Sequence, residues 1–85
     1  MEIRTFRYQN ANNDEEPVIV ILDDNEDTVL GVNLHYLVDP IKIINFIAQS
    51  SRYTTEDIYP NVVKGDNMLE SCVRRYNKDY MREIY

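Results

Sequence analysis

The stretch that most constrains this chain is TVLGVNLHYLVDP, Thr28–Pro40, its longest apolar run. Val29, Leu30, Val32, Leu34, Tyr36 and Leu37 all suit a strand. Alternation would turn Leu30, Val32, Leu34, Tyr36 and Val38 toward a core, and Val29, Gly31, Asn33, His35 and Leu37 toward a mixed, half-exposed face. Gly31 inside such a strand signals a bulge, a bend or a close backbone approach. Asp39-Pro40 then reads as an N-cap followed by proline in the first turn of a helix. One segment therefore carries the chain from sheet to helix.

Two further strands are predicted ahead of it. Residues 2–8, EIRTFRY, alternate, and residues 17–22, PVIVIL, are continuously apolar, as befits a strand buried on both faces. Proline at the head of the second removes an N–H where it matters least. Residues 9–16, QNANNDEE, read as a polar loop, and residues 23–27, DDNED, as a hairpin turn. Asp23, Asn25 and Asp27 have the spacing that opens an EF-hand calcium loop, but position six is Thr28 instead of glycine and position twelve is Leu34 instead of glutamate. The expectation is an acidic turn and no metal site.

Beyond Pro40 the pattern becomes helical. A helix over 40–50 would bury Ile41, Ile44, Ile47 and Ala48, with Ile43 and Phe46 widening the apolar stripe nearly all round. That suits a helix clamped between the sheet and a later helix; the competing reading is that part of it meets a partner. Thr54 or Thr55 would cap one further turn ended by Pro60, and Asp66 would cap a last helix over 67–82. Leu69, Cys72, Val73, Tyr76, Tyr80 and Ile84 would form its buried stripe, and Arg74, Arg75, Lys78 and Arg82 its basic face.

Eighty-five residues make one domain, here split into a β part (1–38) and a helical part (39–85). The single cysteine, Cys72, rules out an internal disulfide. No apolar run reaches the roughly 18 residues of a membrane span, and MEIRTFRYQN lacks a signal-peptide core. The expected location is the cytosol or an assembly made there. Net charge is −6 and uneven: residues 1–39 hold nine acids and two bases, residues 40–85 six and seven. An acidic excess in the sheet half argues against a general nucleic-acid binder and suits a basic protein partner or mimicry of a nucleic acid.

Catalytic patterns are missing. There is no Walker loop, G-x-G-x-x-G or nucleophile elbow. His35 and Cys72 are single representatives of their kinds, and a dyad would have to form through the fold; Cys72 reads instead as a small core residue. No enzyme activity, no cofactor and no metal are expected.

At Gly31-Val32-Asn33-Leu34-His35-Tyr36-Leu37, followed by Pro40, the chain resembles small proteins of T-even-like tailed bacteriophages that carry a G-x-N-x-H-Y-x segment before a proline. In those proteins an apolar strand and an acidic turn precede the motif, as 17–22 and 23–27 do here. A helix follows, and then a Cys-x-basic-basic-Tyr segment, here Cys72-Val73-Arg74-Arg75-Tyr76. The chain departs from that pattern in Val38-Asp39-Pro40, where a proline-rich stretch is usual, and in lacking a longer basic N-terminus. The resemblance implies a phage protein with a small barrel-like β-unit and trailing helices. Some members are described as DNA-end or virion-associated, and the resemblance supplies no catalytic residue.

The expectation is therefore an α+β fold: a small twisted antiparallel sheet, of which an SH3-like partial barrel is one form, packed by two main helices. The expected function is that of a non-enzymatic accessory or virion-associated phage protein, in the host cytoplasm or the virion, docking onto a larger protein or protein–DNA assembly. Arg74, Arg75, Lys78 and Arg82 would make the contact, including any with DNA. The alternative is an acidic inhibitor that mimics nucleic acid against a host enzyme, working through Glu15, Glu16, Asp23, Asp24, Glu26 and Asp27. An edge strand over 2–8 would leave room for pairing between copies.

Overall fold

A computed structural model of the chain describes the backbone of residues 1–8 and 16–83 and the side chains of 1–6 and 16–79. The expected loop over 9–16 and the residue Glu15 lie outside it, apart from Glu16. The order of elements is β1 (Ile3–Tyr8), β2 (Val18–Asp24), β3 (Thr28–Asn33), a 3-10 turn (Leu34–Tyr36), α1 (Pro40–Ser50), α2 (Thr55–Ile58), a π-turn (Tyr59–Val63), α3 (Asn67–Ser71), β4 (Val73–Asn77), a second 3-10 turn (Lys78–Tyr80) and β5 (Met81–Glu83). The fold is α+β, with an antiparallel sheet covered by helices, as expected. The strands run in the order β4-β3-β2-β1-β5.

The last helix is a correction. Helical geometry stops at Ser71, and Val73–Asn77 form a strand against β3, with Gly31 opposite Arg74 and Val29 opposite Tyr76. Residues 39–85 are thus not all helical, and Arg74, Arg75, Lys78 and Arg82 share no helix face. Valine and tyrosine favour a strand, and here an open flank of β3 rewards them with ladder hydrogen bonds. Nor do residues 2–8 form an open edge. The first half of β1, Ile3–Thr5, pairs with β2, and the second half, Phe6–Tyr8, pairs with β5.

This topology forces the sheet to curl. In a flat sheet four strand spacings would separate β4 from β5, about 19 Å. The three residues between them could bridge at most about 14 Å even when fully extended, and they are wound into a 3-10 turn. The curl is visible in the Phe6 and Tyr76 rings, which meet edge to face at 4.9 Å between centroids although β2 and β3 lie between their strands.

Two buried clusters follow, one on each face. Val20, Leu22, Val32 and Leu37 pack with Phe46, Ile58, Val62, Val63, Leu69 and Cys72 under the helices. Phe6, Ile19, Ile21, Val29 and Tyr76 fill the concave side. Strand β2 is buried on both faces, as its continuous apolar run predicts. The predicted strand over 28–38 ends early, at Asn33, and its expected core face is only partly right. Val32 is buried, but so are Val29, Gly31, Asn33 and Leu37 on the other set, whereas Tyr36 and Val38 are exposed. The second cluster explains Val29, and the 3-10 turn breaks the alternation after Asn33.

Local signals position these pieces. A Cβ on Gly31 would sit 2.9 Å from the Val20 carbonyl oxygen, so the strands approach too closely for a side chain. The register of β2 and β3 shifts beside it, between Ile21 and Asp23. The Asp39 carboxylate accepts from the Ile41 N–H at 3.0 Å, and Asp66 from the Leu69 N–H at 3.1 Å, so both expected N-caps form. Asp66 also pairs with Lys42, tying α1 to α3. Thr54 precedes α2 without a side-chain cap; its hydroxyl donates instead to the Asp57 carboxylate. Pro60 does not stop the helical winding, which continues as the π-turn to Val63.

Candidate interaction surface

The helix α1 is apolar on two sides, and the fold uses only one. Phe46 and Ser50 are buried and Ile43 and Ile47 half-buried, at the spacing of a single face. Ile41, Ile44 and Ala48, the stripe expected to be buried, are exposed instead. Both stripes satisfy helical periodicity, and Phe46, the largest side chain of the helix, decides which one enters the core. Ile41 and Ile44 remain 69% and 65% exposed, and Val38, just before the helix, 88%. Three branched aliphatic side chains within seven residues thus face solvent. Single exposed apolar residues are ordinary; a local group of them marks an interaction site. Of the two charges within this stretch, Lys42 is turned aside to Asp66, and the Asp39 carboxylate caps the helix through the Ile41 N–H.

Two residues before Val38, the 3-10 turn ends in another exposed side chain. Tyr36 is 54% exposed, and the Arg74 guanidinium carbon lies 4.9 Å from the centre of its ring, within cation–π range. Below the turn, Asn33 is a buried polar hub. Its side-chain oxygen accepts from the His35 N–H at 2.9 Å, its amide nitrogen donates to the Tyr76 hydroxyl at 3.1 Å, and its backbone N–H donates to the Cys72 carbonyl at 2.9 Å. The G-V-N-L-H-Y-L and C-V-R-R-Y segments, far apart in sequence, are therefore neighbours in space. Three of the motif residues have structural roles. Gly31 permits the strand approach, Asn33 ties three segments together, and Tyr36 supports Arg74. His35 is exposed and Cys72 buried in the core.

The charged residues singled out from sequence form a different picture from two opposed faces. Asp24 accepts from Arg4 at 2.6 Å and from Lys78 at 2.6 Å, while Arg4 also pairs with Glu2 at 2.7 Å. Lys78 and Arg4 together hold the Asp24 carboxyl below its ordinary range. Arg75 donates to the Thr28 hydroxyl at 2.9 Å, and the Lys78 N–H to the Asp27 carbonyl at 2.9 Å. Pairing of β4 with β3 thus brings the basic run alongside the acidic turn. Within that turn the Asn25 side-chain oxygen accepts from the N–H groups of Asp27 and Thr28 at 3.0 and 2.8 Å. It shapes the turn and is not presented as a ligand. Among the described residues no group of three or more His, Cys, Asp or Glu side chains is placed to hold a metal. Asp23, Glu26 and Asp27 are exposed and Glu16 is half-buried. Arg82 lies on β5 with its backbone opposite Arg7.

No protein-family model, no curated protein and no solved structure matches the chain. Among the described residues no helix is long and apolar enough to cross a membrane. The apolar group at 38–44 is what sequence reasoning placed on the wrong side. Its signal was present, since a helix apolar nearly all round has more such surface than one core can cover.

Proposed function

We propose that this protein is a non-enzymatic docking module, an accessory or virion-associated bacteriophage protein that binds a larger protein or protein–DNA assembly through Val38, Ile41 and Ile44. The observation that carries this is the exposure of those three side chains on a helix whose other side fills the core. Covering each would contribute about 1.5–3 kcal/mol, enough for three to anchor a contact. Tyr36 and Arg74 extend the surface with residue types enriched at interfaces. The spatial pairing of the two phage-like segments supports a phage origin, and the curl of the sheet supports an SH3-like partial barrel as the β-unit. The acidic-mimic alternative, through Glu15, Glu16, Asp23, Asp24, Glu26 and Asp27, is supported less. Arg4 and Lys78 neutralise Asp24, and Arg75 lies on the strand beside the turn.

The test is retention of a protein from phage-infected host lysate by the wild-type chain and by a variant carrying Ile41→Ser and Ile44→Ser, which leaves the net charge unchanged. The expected outcome is a retained protein that survives nuclease and high salt and is lost with the variant. Retention unaffected by the double substitution, or abolished by nuclease, would overturn the assignment of this surface.

A further inference from the structure

Strand β4 is the end of the sheet: among the described residues its only strand neighbour is β3. The phase of its hydrogen bonding is fixed at both ends. The Asn33 N–H donates to the Cys72 carbonyl and the Lys78 N–H to the Asp27 carbonyl, each at 2.9 Å. With Val32 opposite Val73 and Thr28 opposite Asn77, the antiparallel pattern turns the peptide groups of Arg74 and Tyr76 toward β3 and those of Val73, Arg75 and Asn77 outward. That leaves a row of donors and acceptors with the spacing of a strand.

A side chain occupies part of this row. The Arg74 guanidinium folds back and donates from Nη1 to the carbonyl of Val73 at 2.8 Å and to that of Ser71 at 2.7 Å, with Tyr36 stacked on it. Long charged side chains on an edge discourage uncontrolled pairing. This one is held by exposed hydrogen bonds, so an incoming strand can displace it. The charge along the edge selects the newcomer. Arg74 and Arg75 are both exposed, in a chain whose net charge is −6. A second copy adding its own β4 antiparallel about the centre would set Arg75 opposite Arg75, and like charges directly opposite are destabilising.

We propose that the outer edge of β4 accepts an extended acidic segment of another protein, which pairs with Val73, Arg75 and Asn77 and receives the guanidinium groups of Arg74 and Arg75 on its carboxylates. This goes beyond the docking reading, because it uses none of Val38, Ile41 and Ile44.

The probes are a short synthetic peptide with glutamates at adjacent positions between valines, which offers a carboxylate on each face, the same peptide with lysine for glutamate, and the acidic peptide interrupted by proline. Binding is followed by backbone amide shifts and amide exchange of the full chain. The acidic probe should slow exchange at Val73, Arg75 and Asn77, and the lysine and proline peptides should not. Arg75→Glu should weaken the acidic probe by about fivefold, the size of one cross-strand ion pair, and Arg75→Gln, which keeps a donor for Thr28, should weaken it in the same direction. The variant with Ile41→Ser and Ile44→Ser should bind the probe as wild type does, so loss of one surface is read separately from loss of the other. Equal binding of the lysine peptide, protection confined to other residues, or protection of β4 that rises with protein concentration without any probe would each overturn the proposal, the last by making a second copy the occupant.

Discussion

The Asn33 side chain donates to the Tyr76 hydroxyl at 3.1 Å inside the protein, joining the end of β3 to the middle of β4. Asn33→Ala would remove this hydrogen bond and also the cap of the 3-10 turn. Disrupting buried hydrogen bonding costs about 1–3 kcal/mol, so urea denaturation should show a loss in that range. Tyr76→Phe should cost a similar amount, by orphaning the Asn33 amide. Burial raises the Tyr76 pKa, with Asn33 opposing and Tyr36 adding to the shift. A phenol whose folded pKa is raised contributes stability that is complete below the ordinary tyrosine range and is lost as pH rises through the folded value. Ultraviolet titration of the folded chain should show phenol ionisation extending to higher pH than in denaturant, and Tyr76→Phe should remove part of that late phase.

Gly31→Ala places a methyl group 2.9 Å from the Val20 carbonyl, a backbone atom that can move only with its strand. Overpacking of this kind costs about 1–3 kcal/mol. The midpoint of denaturant unfolding should fall accordingly. Gly65→Ala, at a φ of 87° with open space around it, should cost about 1–2 kcal/mol for the left-handed backbone alone.

Two carboxylates make the fold acid-sensitive. Lys78 and then Arg4 lower the Asp24 pKa; Lys42 and then the Leu69 N–H lower that of Asp66. A depressed folded pKa contributes stability above the unfolded value and loses it as pH falls through the folded one. Stability should therefore decline as pH falls below the ordinary carboxylate range. Asp24→Asn and Asp66→Asn should be less stable than wild type at neutral pH and should lose less on acidification. Added salt should narrow the difference for both, since the pairs are partly solvated.

Ser50 is fully buried, and among the described residues its hydroxyl has no hydrogen-bond partner. Ser50→Ala removes the unsatisfied oxygen while keeping a small side chain in α1. It should raise stability by about 1 kcal/mol, measured as a higher thermal midpoint.

What was legible in the sequence was local. The alternation and apolar runs of β1 to β3, the Asp39 and Asp66 caps and the close approach at Gly31 are each written within a few neighbouring residues. The misreading of 67–82 has a definite cause: Leu69, Cys72, Val73 and Tyr76 satisfy helical spacing, while Val73–Asn77 equally suit a strand, and only the open flank of β3 decides. The same ambiguity reversed α1, whose two apolar stripes both have helical spacing. The charged candidates were visible as residues, but the pairing of Asp24 with Lys78 depends on strands distant in sequence coming together. No local pattern encodes that.

The partner exchange along β1 also sets a timetable. Among the described residues the strand's second half meets its neighbour in β5, more than seventy residues further along the chain. Phe6–Tyr8 can join that neighbour only once β5 has been made. So non-local a contact slows folding and prolongs the exposure of a strand edge.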